Sequence, residues 1–370
     1  MHKMQIGRVL FNERSSETLI QSYAKEVHGM TKIKRLIKQK FDLEKLTPGQ
    51  VCFGLFCIFS LLLILRNADI AISYMSRGLA LCAKTVIPSL FPFMVISELI
   101  VSSGLGSRLL LPLSLTLQKL FRISPDGCCA VLLGMLCGFP VGARCAILSY
   151  GQGKITREEA ERILCFSNNP SSAFIITAVG GSLWGNRKFG IALYLAVLIA
   201  ALLTGIVIAR FPQKASRAKK EIPIEPITAP APSSAKLFCN AIRSATASIL
   251  LVCSYVLFFS ALVGTFHYIP GVQTLPASAK AFLFCLFELS SGVSQATALG
   301  SPMQSALLCA FACGWSGISV HCQVLSVCDA EKLSLRPYVI SKLLQACITP
   351  LILAAILACF PYLLMGGIQI

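Results

Sequence analysis

"CGFPVGARC" (Cys137–Cys145) lies between the apolar runs "AVLLGML" (130–136) and "AILSY" (146–150). A helix crossing a bilayer keeps its N–H and C=O groups inside its own ladder, because lipid offers them no partner. Gly138, Pro140 and Gly142, within five positions, interrupt that ladder, and Arg144 brings a permanent positive charge into the same apolar region. Irregular backbone survives there only where protein or a water-filled cavity surrounds it. The stretch therefore predicts a broken membrane helix lining an internal site.

The composition supports a membrane setting. Hydrophobic residues make up 55% of the 370, and charged residues only 13%, about half the share of a soluble domain. Mean hydropathy is +0.73. Several apolar runs approach the roughly 20 residues that a spanning helix needs, and they are continuous rather than alternating, which argues against a β-barrel. The expected fold class is all-α: a polytopic membrane protein with about eight membrane-embedded segments, several of them broken or re-entrant, arranged in two repeats.

The formal net charge is +17, and ten of the 33 Lys and Arg precede residue 46. Another group (Arg210, Lys214, Arg217, Lys219, Lys220, Lys236) flanks a polar linker. Basic flanks beside apolar spans mark cytoplasmic segments, so the charge implies topology and a lipid bilayer as neighbour, and no nucleic acid. The 17 Cys are scattered through apolar runs without a CxxC pair, behaving as small hydrophobes. Neither a disulfide framework nor a metal site follows, and no cofactor is expected. Residues 1–48 lack a cleavable signal, Met30 offers an alternative start, and "VCFGLFCIFSLLLIL" (51–65) would act as an uncleaved anchor.

Four regions follow along the chain: a cytoplasmic basic extension (1–48), a first membrane half (49–210), a Pro-rich polar linker (211–236) and a second membrane half (237–370). In the first half, a helix over roughly 49–66 precedes an amphipathic segment broken at Pro88 and Pro92. The piece "FMVISELIVSSGLG" (93–106) is too short to span. Thr156 and Glu159 form a capping box that starts a helix ending at the polar break "SNNPSS" (167–172), and a plain span covers about 189–209. The second half holds runs at about 237–265, 281–299, 303–328 and 336–365.

The halves share a pattern. "CGFPVGARCAILS" (137–149) lies on "CGWSGISVHCQVLS" (313–326), "KIT" (154–156) on "KLS" (332–334), and "ELIVSSG" (98–104) on "ELSSG" (288–292). Their common order indicates an internal duplication. Paired interrupted segments in two repeats point to a transporter's binding site, and half-helix N-termini there suit an anionic group. The expected substrate-binding residues are Gly138, Phe139, Pro140, Gly142 and Arg144, with Asn168, Asn169 and Ser171 from the polar break and Gly314, Trp315 and Ser316 from the second half. Arg144 would grip a carboxylate in two-point fashion, and Phe139 with Trp315 would sandwich a planar ring.

Glu98, Glu288 and His321 are candidates for ion coupling or ion pairing. Each residue has a plainer reading beside this one: Gly and Pro for packing, Arg144 snorkelling or paired with Glu98 or Glu288, and His321 hydrogen-bonded in the core.

"PSLFPFMVISELIVSSGLG" (88–106), "GFPVGAR" (138–144), "GKITREEAERILCFSNN" (153–169) and the following "AFI" (173–175) resemble the gate, or nucleoside-recognition, domain. They more closely resemble the YlbJ-type sporulation integral membrane proteins of endospore-forming bacteria. The resemblance covers about residues 50–365; Pro170 departs from it by following Asn169 directly. It implies a re-entrant, duplicated fold and movement of dipicolinate, a planar aromatic dianion, in the mother-cell or outer forespore membrane.

Two function classes stay open on the sequence. One is a transporter of a small-molecule anion working by alternating access, with a nucleoside-like substrate as a variant. The other is a non-transporting scaffold that docks partners through its linker and basic N-terminus. No P-loop, HExxH or GxSxG motif suggests nucleotide-driven transport or an enzyme. Self-association into a homo-oligomer is left open.

Overall fold

The computed structural model describes residues 47–104, 111–210, 233–328 and 333–365. The basic extension and nearly all of the linker, with the topology assigned to them, lie outside the described residues. The chain divides into two compact units, residues 1–62 and 63–370. The first apolar helix, α1 (Pro48–Arg66), carries the boundary and exposes Phe53, Leu55, Ile58, Leu61 and Leu65, as a lipid-facing helix would. All that follows concerns the second unit.

Among the described residues every regular element of this unit is helical. Helix α2 (Ala68–Leu81) passes through a π-helical turn, Cys82–Val86, into α3 (Ile87–Ser103), with a bend of 50°. The bend therefore sits at the π-turn rather than at Pro88 and Pro92. Pro88 directly follows the π-turn in the first turn of α3, and a wide turn is a common cause of a kink. Residues 93–103 belong to α3 and are not a separate short piece. Next come α4 (Leu111–Phe121) and α5 (Pro125–Cys137), which turn by 95° relative to each other.

After the break at 138–140 come α6 (Val141–Gly151), α7 (Arg157–Ser167), a π-helical segment (Phe174–Leu183) and α8 (Arg187–Arg210). The Thr156 hydroxyl accepts from the Glu159 N–H, as the capping box requires.

The second half opens with α9 (Ser234–Thr265), three residues before the expected start, because Ser233 caps it through the Lys236 N–H. Helices α10 (Ala277–Phe287) and α11 (Leu289–Thr297) meet at Glu288, and α12 (Pro302–Trp315) and α13 (Gly317–Cys328) meet at Ser316. The final long helix, α14 (Arg336–Cys359), runs through Pro350. Among the described residues five helical stretches are long and apolar enough to cross a membrane, or up to seven if each bent pair is one span, against about eight segments expected. Two shorter apolar helices, Phe174–Leu183 and Ala277–Phe287, stand besides these.

The halves interlock. One buried core joins Met94, Val131 and Phe166 to Ala241, Ile249, Val324 and Tyr338; another joins Ile175, Phe189 and Leu193 to Cys285, Val293, Cys313 and Leu353. The matched stretches are both broken: α6 restarts at Val141 and α13 at Gly317, 317 − 141 = 176 residues apart. The resemblance of Glu98 to Glu288 does not extend to structure, since Glu98 lies inside α3 whereas Glu288 caps α11.

Small residues let these elements cross. A Cβ on Gly134 would come 2.5 Å from the Ser167 carbonyl oxygen and 2.6 Å from the Gly142 Cα. Backbone cannot yield as a flexible side chain does, so Gly134→Val should destabilise the protein by about 1–3 kcal/mol, the range for overpacking. Its thermal unfolding midpoint in detergent should fall clearly below that of the parent; an unchanged midpoint would show that the crossing is loose.

Candidate functional site

The site begins with the groups that each break releases. At the first, Gly138 has φ +81°, a left-handed conformation that glycine adopts without strain. It sits against Ser171, whose backbone N would lie 2.5 Å from any Cβ there. The Phe139 N–H donates to the Asn169 carbonyl (2.8 Å), and the Ala143 N–H to Asn168 Oδ1 (3.1 Å). The "GFPVGAR" break and the "SNNPSS" break therefore cross, each serving the other's backbone. Asn169 Nδ2 donates to the Phe166 carbonyl, and the Ser171 hydroxyl caps the next helix through the Phe174 N–H. Pro140 stands at the N-cap of α6, and Gly142 packs on Ser167.

The second pair of breaks follows the same rule with different residues. Glu288, 3% exposed, turns its carboxylate onto its own helix: Oε1 accepts from the Ser290 N–H (2.9 Å) and Oε2 from the Ser291 N–H (2.6 Å). Trp315 Nε1 donates to the Leu286 carbonyl at the end of α10 (3.0 Å). Ser316 takes a left-handed φ of +76° and is fully buried. Gly314 lets α12 approach the Gln345 backbone of α14.

Both breaks of each half face a common cavity. Its wall includes Phe139, Ser171 and Phe174 from the first half and Glu288, Leu289, Ser290, Ser319 and Gln323 from the second, with Ser89, Leu90, Val252 and Val256 closing it. Ser319 Oγ and Gln323 Oε1 are buried without a hydrogen-bond partner, on residues 1% and 2% exposed. Buried polar atoms are normally satisfied, so two such atoms in one cavity wall mark a place built for a polar guest. Among the described residues no basic side chain lines the cavity.

Of the sequence-derived set, Phe139, Ser171 and Glu288 reach the cavity, whereas Gly138, Pro140, Gly142, Asn168, Asn169, Gly314 and Ser316 build the crossings behind it. Trp315 is outside the lining, edge-on to His321 with ring centroids 4.3 Å apart, so the aromatic pair with Phe139 is not assembled here. His321 Nδ1 lies 3.0 Å from the Tyr338 hydroxyl, and its Nε2 is buried without a partner.

Arg144 is engaged within the protein. Its Nη2 donates to Glu98 Oε2 (2.6 Å) and to the Ser244 hydroxyl; its Nη1 donates to the Ser244 carbonyl (2.9 Å) and the Ser248 hydroxyl. The pair ties α3 and α6 of the first half to α9 of the second, with both side chains 14% exposed.

Sequence reading left out Ser319 and Lys342. A serine in an apolar run carries no signal of its own. Lys342 did carry one: a lone cation within "YVISKLLQACITPLILAAIL" (338–357), a position where charge is costly and usually functional.

With this geometry in place, the chain is similar to the sporulation integral membrane protein YlbJ of Bacillus subtilis (strain 168), 26% identical over 321 residues, which cover 78% of each chain. That similarity supports a YlbJ-type assignment. No family model matches the chain, and no solved structure does.

The ion pair generates a prediction. Removing one partner of a buried pair strands the other, at about 3–5 kcal/mol. Arg144→Ala should therefore reduce folded protein in the membrane, and Glu98→Gln combined with Arg144→Met should recover part of the loss. Fluorescence-detected size exclusion measures this. Normal folding of Arg144→Ala with loss of flux alone would return Arg144 to the substrate.

Proposed function

We propose that this YlbJ-type chain transports a small anionic metabolite across the membrane during endospore formation, by alternating access around the cavity between its four helix breaks. The observation that carries the reading is the shared cavity, whose wall holds the unpartnered Ser319 hydroxyl, a free donor for an anion, beside the Gln323 amide. A scaffold needs neither. Two interlocked halves with a site between them are also the layout in which rocking one half exposes that site to either side.

The substrate we propose is dipicolinate. Phe139 and Phe174 offer apolar walls for its ring, and the Ser171, Ser290 and Ser319 hydroxyls and the Gln323 amide offer hydrogen bonds to its carboxylates. Helix starts near the cavity add positive dipole ends: Ser171 caps one, Glu288 caps α11, and α13 begins two residues before Ser319. At α11 the Glu288 carboxylate takes the N–H groups that an anion would otherwise use, leaving the other two starts for the guest. The similarity to a sporulation integral membrane protein supports the link to sporulation, and the membrane we propose is that of the mother cell or the outer forespore membrane.

Uptake of labelled dipicolinate by proteoliposomes tests the reading, with a nucleoside as the control solute. Hydrogen bonds to charged groups contribute about 1.5–3 kcal/mol each, so Ser319→Ala should weaken substrate affinity about tenfold to a hundredfold, and Ser319→Ala with Gln323→Leu about a hundredfold or more, while leaving protein abundance unchanged. Spores made without the protein should be depleted of dipicolinate. Normal spore content together with no vesicle uptake would favour the scaffold.

A further inference from the structure

Lys342 is fully buried in the middle of the second unit, on α14, a helix long and apolar enough to cross a membrane. Its Nζ donates to Gln345 Oε1 (3.0 Å) and Asn169 Oδ1 (3.3 Å). Both partners are neutral amides. Among the described residues the ion pairs are Arg144–Glu98 and Arg157–Glu161, and neither involves Lys342. The titratable groups around it are Cys165 on α7, Cys313 on α12 and His321 on α13, with Tyr338 one turn away on α14. The residues that α8 buries carry no titratable group. Among the described residues no carboxylate compensates an ammonium at this position, and burying an uncompensated charge is costly.

The amine is nevertheless wired to the cavity. Asn169, which accepts its hydrogen bond, also accepts the Phe139 N–H through its backbone oxygen, and Phe139 and Ser171 form part of the cavity wall. Lys342 thus stands directly behind the crossing of the two first-half breaks. A lysine ammonium is a compact charge whose protonation responds readily to burial, and an anion in the cavity would supply the counter-charge that the surrounding amides do not.

Resting on the transport reading, we propose that Lys342 is the proton carrier that couples anion movement to the proton gradient. As the anion enters, the Nζ lone pair bonds a proton taken from water on the loading side. As the anion leaves, that N–H bond breaks and the proton passes to water on the discharge side. One proton then crosses with each anion, and the membrane interior never holds either charge alone. The change in hydrogen bonding at Asn169 is felt by Phe139, which is how the protonation state would reach the break.

The test uses the full chain in liposomes, with labelled dipicolinate and the membrane potential clamped. A one-unit pH gradient, acid on the loading side, should drive up to about tenfold accumulation in the parent protein. Lys342→Met should retain counterflow exchange at equal pH but lose gradient-driven accumulation, and Lys342→Gln serves if the Met variant fails to fold. Accumulation by either variant as in the parent overturns the proposal. So does parent uptake that ignores the pH gradient, an outcome that needs no variant and leaves the transport reading standing. Absence of parent uptake of any kind instead overturns the transport reading, and this proposal with it.

Discussion

Backbone that leaves a helix inside an apolar protein must find new hydrogen-bond partners, and the organisation of this molecule follows from that requirement. The Phe139 N–H reaches the Asn169 carbonyl, and Asn168 reaches the Ala143 N–H. Neither break could exist without the other. The second half meets the same requirement with side chains, Glu288 on the α11 N–H groups and Trp315 on the α10 carbonyl. Close approach is the condition for these bonds, and glycines at 134, 138 and 142 provide it.

Mutual satisfaction also explains where the cavity lies. Two crossed breaks per half create a surface with short side chains and exposed helix starts, and the halves meet there. Where the backbone has been satisfied locally, the remaining polar atoms of the wall, Ser319 Oγ and Gln323 Oε1, are those left to a guest. Among the described residues the wall combines aromatic and hydroxyl groups without a cation. Two cations stand behind it, the half-buried Arg144 tied to Glu98 and the fully buried Lys342 held by amides.

Those cations differ in the role their surroundings permit. Arg144 has a carboxylate and two serines arranged around its fork, bridging α3, α6 and α9, an arrangement suited to holding helices in place. Among the described residues Lys342 is held by amide dipoles and by no carboxylate, an arrangement in which the charge depends on what occupies the neighbouring space. A Lys in place of Arg144 could not make the forked contact, and an Arg at 342 could not shed a proton.

Much of this was legible in the residues themselves. Hydropathy and low charge determined a polytopic helical membrane protein, because a chain so poor in polar groups has no other way to satisfy its backbone. Gly138, Pro140 and the "SNNPSS" run determined that helices break, since glycine and proline act on the local ladder wherever the chain goes. The likeness of 137–149 to 313–326 located both breaks.

Partner choice was decided only by the tertiary structure. Whether Arg144 meets a substrate or Glu98, 46 positions away, depends on how α3 and α6 pack, and no local pattern records that distance. The same holds for Lys342 and Asn169, 173 positions apart, and for the unpartnered atoms of Ser319 and Gln323, which are conspicuous only once everything around them has been satisfied. Local sequence specifies where a backbone group is released; the packing of distant helices decides what meets it.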